Sequence, residues 1–332
     1  MTTAPLANIT TIATFPEHFF LENLAVRADG SILVTVLNRK QLWYVPAPNG
    51  GRPVTPALVH TFDHFAMGIV ETEPDIFYVS TAEPAKKATL ERFDMRGWIP
   101  GAPVSRTRVL TFDQPAGLNG ACLIAPRVIL LADSVAGSIW RVDLADDGLT
   151  ATASVWLQHH TMAPDPDNGL TSPMGPQPGI NGIRYAERTN VVYYTSSAQG
   201  LFMRVAVDPA TYTPVGEPEV VAAEGADDFC LDENVGVAYL TTHGNNTIVR
   251  VPIDFGAEGA TPSVVAGDPF TEQLVGPSSA AWARGPADYG RIAYVTTDGG
   301  HTAIDYHRPG APAIIRPAQV VRVQFDPERP AR

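Results

Sequence analysis

The sequence predicts an all-β chain folded as a single six-bladed β-propeller of four-stranded blades, its ring closed by an N-terminal strand. Three observations predict it. One short phrase returns six times, anchored at Glu22, Met67, Asn119, Asn181, Asp227 and Ser278, with gaps of 45, 52, 62, 46 and 51 residues. Repeats of this period, with several strands in each, are the signature of propeller blades. Each anchor opens a small apolar stretch and is followed about ten residues later by a strand-like run ending in Thr, Ser or Asp. The apolar alternation has period two throughout, and no stretch carries the spacing of an amphipathic helix.

The elements follow in chain order. Ile9–Phe15 is strand-like, precedes the first anchor and is expected to complete the last blade beside Val320–Phe325. In the first unit Leu24–Val26, Ile32–Thr35 and Leu42–Val45 read as strands, with Ala28-Asp29-Gly30 as the turn; Asp-Gly is a strong hairpin signal. The third unit repeats this with Ala121–Ile124, Val128–Ala132 and Ser138–Val142, and outer strands are expected at Thr107–Thr111 and Thr152–Leu157. Closing six such units into a ring removes the edges an open sheet would expose. Two insertions break the period, residues 157–179 and 301–318, and the first should sit as a lid beside the channel mouth. All 332 residues are assigned to one domain.

Composition narrows the function classes. Hydrophobic residues make up 45% and charged residues 17%, enough apolar material for a sizeable core. The net charge of −12, with no basic cluster beyond Lys86-Lys87, argues against nucleic acid and against anionic membrane surfaces as partners. No stretch approaches the length needed to span a bilayer, and the N-terminus lacks a secretory pattern, so a cytoplasmic location is expected. Cys122 and Cys230 lie in apolar strands of non-neighbouring units and read as buried free thiols.

The candidate site follows from the repeat. Inner strands of a propeller begin near one end of the central channel, so equivalent anchors converge around the axis. Glu22, Asn119, Asn181 and Asp227 would then crowd carboxylates and amides together, and a hard divalent cation, Ca²⁺ or Mg²⁺, would bridge them. Nothing in the sequence calls for an organic cofactor; nucleotide-loop, nucleophile-elbow and zinc-helix motifs are all absent. Phe20, Phe65, Met67, Met174, Phe229 and Trp282 form a candidate apolar ring that suits a greasy, partly aromatic substrate, with Ser197 and Ser278 as further substrate contacts. Asn38, Asp133, Ser134, Ser197, His243 and Asp298 end second strands and should face the same mouth. Of these, His243 is the candidate general acid or base, although turns favour such residues for local reasons alone.

With Asn181-Gly182-Ile183 and Asp227–Asp232 in view, the chain resembles the SMP-30/gluconolactonase-like six-bladed propellers across all six units. The resemblance implies that Glu22, Asn181 and Asp227 hold a divalent metal and that Asn119 meets substrate. In such lactonases the metal polarises a lactone carbonyl and activates water. The sugar-lactonase pattern carries an arginine two residues before the third-blade asparagine, where this chain has Gly117. The segments Phe20–Arg27, Gly68–Thr81 and Ser196–Gly200 also resemble a fungal branch of these propellers. That branch includes hetero-Diels–Alderases of tropolone sesquiterpenoid pathways, which join a quinone methide to a humulene-type terpene. The sequence reading is therefore an enzyme that templates such a cyclisation of an apolar, oxygenated small molecule. A divalent-metal-dependent lactonase or esterase is the alternative, and a non-enzymatic binding propeller the second alternative.

Overall fold

The computed structural model describes residues 7–48, 52–83, 86–164, 171–172, 175–253, 261–301 and 315–325. Among them are six four-stranded antiparallel sheets set around an axis. Blade 1 runs Leu21–Val26, Ile32–Val36, Gln41–Val45 and Ala57–Thr61 from the channel outward. Blade 2 runs Phe65–Glu73, Ile76–Ala82, Lys87–Asp94 and Ser105–Pro115, and blade 3 runs Leu118–Ala125, Val128–Asp133, Ser138–Leu144 and Ala151–Gln158. Blade 4 comprises Ile180–Ala186, Val191–Ser196, Leu201–Val207 and Pro214–Ala222; blade 5 comprises Phe229–Asp232, Val237–Thr242, Thr247–Pro252 and Ser263–Gly267. Blade 6 takes Pro277–Trp282, Ile292–Thr297 and Gln319–Phe325 from the C-terminal end and Ala7–Thr14 from the N-terminal end.

The expected closure is observed. Ala7 pairs with Phe325 and Thr14 with Gln319, so the first strand of the chain becomes the outer strand of the last blade. Six apolar clusters fill the gaps between neighbouring blades. Ile129, Leu131 and Leu118 of blade 3 pack on Tyr78 and Leu90 of blade 2, for example, and Val321 and Val323 of blade 6 pack on Tyr239 and Val237 of blade 5. Burying both faces of every sheet in this way explains why the inner two strands of each blade are nearly continuous runs of apolar residues.

The anchors occupy a distinctive backbone feature. The pairing of inner to second strand breaks register between Leu21 and Asn23, Ala66 and Ile69, Leu118 and Ala121, Ile180 and Ile183, and Pro277 and Ser279. Each interval contains an anchor: Glu22, Met67, Asn119, Asn181 and Ser278. In blade 5 the anchor Asp227 lies just ahead of the inner strand, with its N–H on Thr241 O at 3.0 Å. A bulge rotates one residue out of the alternation and re-aims its side chain. Five anchors thus share a local distortion as well as a sequence position.

The polar ends of the second strands hold this geometry. Thr195 Oγ1 accepts from Gly182 N–H at 2.9 Å and donates to Asp227 O at 2.7 Å, tying blade 4 to blade 5. Thr241 Oγ1 accepts from Asp228 N–H at 3.1 Å and donates to Asp228 O and Ser278 O, tying blade 5 to blade 6. Thr35, Ser80 and Thr296 bond the backbone at the corresponding bulges of blades 1, 2 and 6. The recurring hydroxyl in the repeat is a staple at the bulge, which satisfies backbone groups that a regular ladder would have paired.

Glycine serves the ring on three consecutive blades. A Cβ at Gly68 would lie 2.3 Å from Asn119 O, one at Gly120 2.5 Å from Asn181 O, and one at Gly182 2.3 Å from Asp228 Oδ1. The backbones at these anchors approach too closely for any side chain.

Candidate functional site

The two residues at each bulge divide the channel into unlike halves. Blades 2, 3 and 4 present Met67-Gly68, Asn119-Gly120 and Asn181-Gly182, all neutral. Blades 5, 6 and 1 present Asp227-Asp228, Ser278-Ser279 and Glu22-Asn23, to which loops on the same side add His243 and Asp298. The sequence-predicted Glu22, Asn119, Asn181 and Asp227 therefore share one bulge ring, but every ionisable group falls on one side.

Burial and mutual repulsion set the charges there. Glu22 is 5% exposed, and burial, then Asp227, Asp228 and Asp298, holds its carboxyl well above the usual carboxylate range. Burial also pushes Asp227 up to about 7, assisted by Asp228 and Asp298 and opposed by His243 and the Asn181 amide. His243 Nε2 lies 3.0 Å from Asp298 Oδ2, and Asp298 is fully buried with its other oxygen accepting from Gly300 N–H at 2.7 Å. Burial opposes charge on the imidazole, but Asp298 and Asp227 outweigh it and raise His243 to about 9. Burial and like-charge crowding thus favour the protonated forms of Glu22 and Asp227, while Asp298 and Asp227 favour the imidazolium of His243. Phe20 stacks on the His243 ring at 5.9 Å and 11°, and is positioned by its N–H on Asn38 Oδ1 at 3.0 Å.

The neutral side offers amides. Asn181 Nδ2 donates to Ser197 Oγ at 3.1 Å, and Ser197 Oγ donates in turn to Ala226 O at 2.8 Å. Asn119 is 6% exposed, and its Oδ1 is buried with no hydrogen-bond partner. A buried acceptor without a donor is uncommon and marks a place where a ligand or ion would be satisfied. The set formed by Glu22, Asn181 and Asp227, with the Asn119 oxygen beside them in the ring, fits a hard, oxygen-liking cation in kind. Among the described residues no group of three or more His, Cys, Asp and Glu side chains stands at metal-holding spacing, so such an ion would depend on amide oxygens.

Several expected contacts belong elsewhere. Phe229 is fully buried between blades 4 and 5, edge-on to Phe202 at 5.0 Å. Trp282 packs on Tyr239 and Phe325 and donates Nε1–H to Leu231 O at 2.6 Å, at the far end of its strand. Ser278 is fully buried, with its hydroxyl spent on Leu21 O and Thr296 Oγ1. These three make packing and backbone contacts within and between blades rather than lining an open pocket. Ser197 staples Asn181 to blade 5, and Asp133 accepts from the N–H groups of Gly117, Val135 and Ala136 in its own turn. Phe65 lies at the rim under Lys40 Nζ at 5.4 Å, and Met67 packs partly into the gap between blades 2 and 3. Met174 lies outside the described residues, as do residues 165–170 of the first insertion and 302–314 of the second. The base of the first insertion is anchored, with Met162 fully buried and Thr161 Oγ1 2.7 Å from the Tyr194 hydroxyl. Gly117 has its own reason: a Cβ there would meet Val135 Cγ2 at 2.4 Å, so an arginine does not fit this backbone.

Sequence reasoning missed a second polar layer one to three residues beyond the anchors. Asp228 Oδ2 accepts from Arg184 Nη2 at 2.5 Å, Ser279 Oγ at 2.6 Å and Asn23 Nδ2 at 3.5 Å, joining blades 4, 5, 6 and 1. The signal was present: Arg184 is the one charged side chain among the residues three places after each anchor.

Comparison with known proteins places this architecture. A bacterial regucalcin, a calcium-binding protein from Agrobacterium tumefaciens, superposes with a TM-score of 0.57 at 14% identity, covering 96% of this chain and 97% of its own. A structure provisionally named a gluconolactonase superposes equally, at 0.57 and 14%, covering 96% and 92%. In fold, the chain is a six-bladed β-propeller similar to these two proteins. No family model matches it. In sequence it is 26% identical over 334 aligned positions to a Phoma sp protein provisionally named a hetero-Diels-Alderase, an alignment that spans 89% of this chain and 87% of that one. The proteins it resembles thus carry two different provisional names, a gluconolactonase in structure and a hetero-Diels-Alderase in sequence.

Proposed function

We propose that the protein is a small-molecule enzyme that templates a hetero-Diels–Alder-type cyclisation in its channel, uniting a quinone methide with an apolar, terpene-like alkene. The observation that carries this reading is the buried donor set at the bulge ring. Burial and the neighbouring Asp227, Asp228 and Asp298 favour the protonated form of Glu22, which shares the ring with the Asn119 and Asn181 amides and with His243 held against Asp298. The likeness to the Phoma sp protein over most of both chains supports it.

The reaction needs no proton abstracted and no group transferred. Hydrogen bonds from Glu22, from the Asn119 amide and from the imidazolium side of the ring would draw electron density from the quinone-methide carbonyl as it becomes the new ether oxygen. Holding both reactants in one orientation removes much of the entropic cost of their encounter, an effect of about 7–11 kcal/mol at its upper range. Asp227, close to its midpoint at neutral pH, accepts hydrogen bonds from substrate hydroxyls. The Phe20 ring stacked on His243 and the Phe65 and Met67 side chains supply apolar contact on either side.

A lactonase reading has one observation in its favour, the oxygen-rich set of Glu22, Asn181 and Asp227 beside the unpartnered Asn119 oxygen. A Ca²⁺ or Mg²⁺ ion held there would polarise a lactone carbonyl. The two readings separate on product analysis. Purified protein incubated with a quinone methide generated in situ and a humulene-type terpene is expected to give one stereoisomer, faster than the spontaneous reaction. A racemic adduct at the background rate overturns the proposal.

A further inference from the structure

Three residues beyond each anchor lie Ala25, Val70, Cys122, Arg184, Cys230 and Ala281, one from each blade. Five are short, and the sixth is among the longest side chains available. Its guanidinium does not turn outward. Arg184 reaches from blade 4 to Asp228 of blade 5 at 2.5 Å and to Ala280 O of blade 6 at 3.5 Å, with Nη1 on Ile183 O at 2.8 Å. It lies over the Phe229 ring at 5.7 Å. Asp228 in turn is met by Ser279 of blade 6 and Asn23 of blade 1.

Solvent exposure shows how tightly this assembly is closed. The side chain of Asp228 is 2% exposed, Asn23 is 4% exposed and Ser279 is fully buried, although all three sit where an open channel would run. The Arg184 side chain retains 21% exposure. The Arg184 side chain is thus partly open to water, whereas the Asp228 carboxylate it pairs with is sealed. Cys122 and Cys230 flank this layer on blades 3 and 5, are buried, and carry thiols that burial pushes upward, to about 12 for Cys122.

We propose that Arg184 and Asp228 form a fixed floor across the axis, making the channel a blind pocket entered only from the anchor end, with its depth set by the Arg184 side chain. Substrate and product share one mouth, and Arg184 is a specificity-determining residue for length. This holds whichever chemistry the ring performs. A buried ion pair spanning three blades is a rigid stop, because breaking it strands a carboxylate in a water-free layer.

The two cysteines report on the floor without any substrate. The full chain is treated with methyl methanethiosulfonate, and the modification of Cys122 and Cys230 is followed by mass spectrometry under native conditions. In the natural protein both thiols are expected to react slowly. The pair Arg184→Ala/Asp228→Asn removes the stop while leaving no unpaired charge, and should label at least about 10-fold faster. Loss of Arg184 also removes the cation that favours the thiolate, so a faster rate means access. The bulky apolar pair Arg184→Leu/Asp228→Leu refills the layer and should label at the natural rate. Should the Ala/Asn pair not yield folded protein, the neutral pair Arg184→Ser/Asp228→Asn takes its place. Equal labelling of all folded variants overturns the proposal, and so does fast labelling of the natural protein.

Discussion

The two halves of the channel are built on one backbone plan and used in opposite ways. On blades 2, 3 and 4 the residue after the anchor is glycine, and the chain uses its absence of a side chain to bring neighbouring inner strands into contact. On blades 5, 6 and 1 the same position holds Asp228, Ser279 and Asn23, which fill the axis with a hydrogen-bonded layer. Closure depends on the first half. Charge resides in the second, where Glu22, Asp227, His243 and Asp298 are forced together.

Substitutions that exchange these roles should break the comparison most sharply. Arg184→Ala leaves Asp228 buried without its cation and is expected to cost about 3–5 kcal/mol, read as a large fall in melting temperature. Gly120→Ala drives a Cβ against the Asn181 carbonyl and should cost about 3 kcal/mol, since the obstructing atom is backbone. On the other half, Ser279→Ala removes one hydrogen bond to a carboxylate that keeps its arginine, and a loss of about 1–2 kcal/mol is expected. A Gly120→Ala variant as stable as the natural chain would remove the packing argument for the neutral half.

The ionisable half should behave in the reverse sense, as a site that trades stability for function. Asp227 has its folded pKa raised to about 7, so the stability linked to its protonated form is lost as pH rises through that value. Asp227→Asn is therefore expected to raise the melting temperature above pH 7 while lowering turnover, with little effect on stability near pH 4. His243 is also raised, to about 9, and its stabilisation is present below about pH 6.5 and lost as pH climbs through 9. Comparing natural protein with His243→Gln, the stability difference should shrink between those pH values. The remaining expected change is catalytic rather than structural: Asn119→Ala should reduce turnover about 100-fold, the loss of a hydrogen bond to the transition state, without altering the melting profile.

The fold was legible because six anchors and the second strands, five of them stapled by a hydroxyl, repeat the same physical problem, the closure of blades around an axis. The partition of the channel was legible too, in the six dipeptides that begin the inner strands. The fate of individual side chains was not. Phe229 and Trp282 look like channel aromatics in sequence, yet both pack between blades, against Phe202 and against Tyr239 and Phe325. Ser278 looks like a pocket hydroxyl but is used to hold Leu21 and Thr296. Arg184 went unnoticed because it stands off the anchor positions, and only the short residues at equivalent places on the other blades show that room was left for it. His243 and Asp298, legible only as ends of strands, become a pair because blades 5 and 6 are neighbours.

The most direct test of the central claim sets the two chemistries against each other on one preparation. Protein stripped of divalent ions by chelation is assayed in parallel on the quinone methide–terpene pair and on a panel of lactones, then assayed again after Ca²⁺ or Mg²⁺ is restored. The donor-ring account predicts stereoselective cycloaddition at full rate in the stripped protein and no lactone hydrolysis in either state. Lactone hydrolysis that appears on adding the ion, with the cycloaddition left at background, would contradict it.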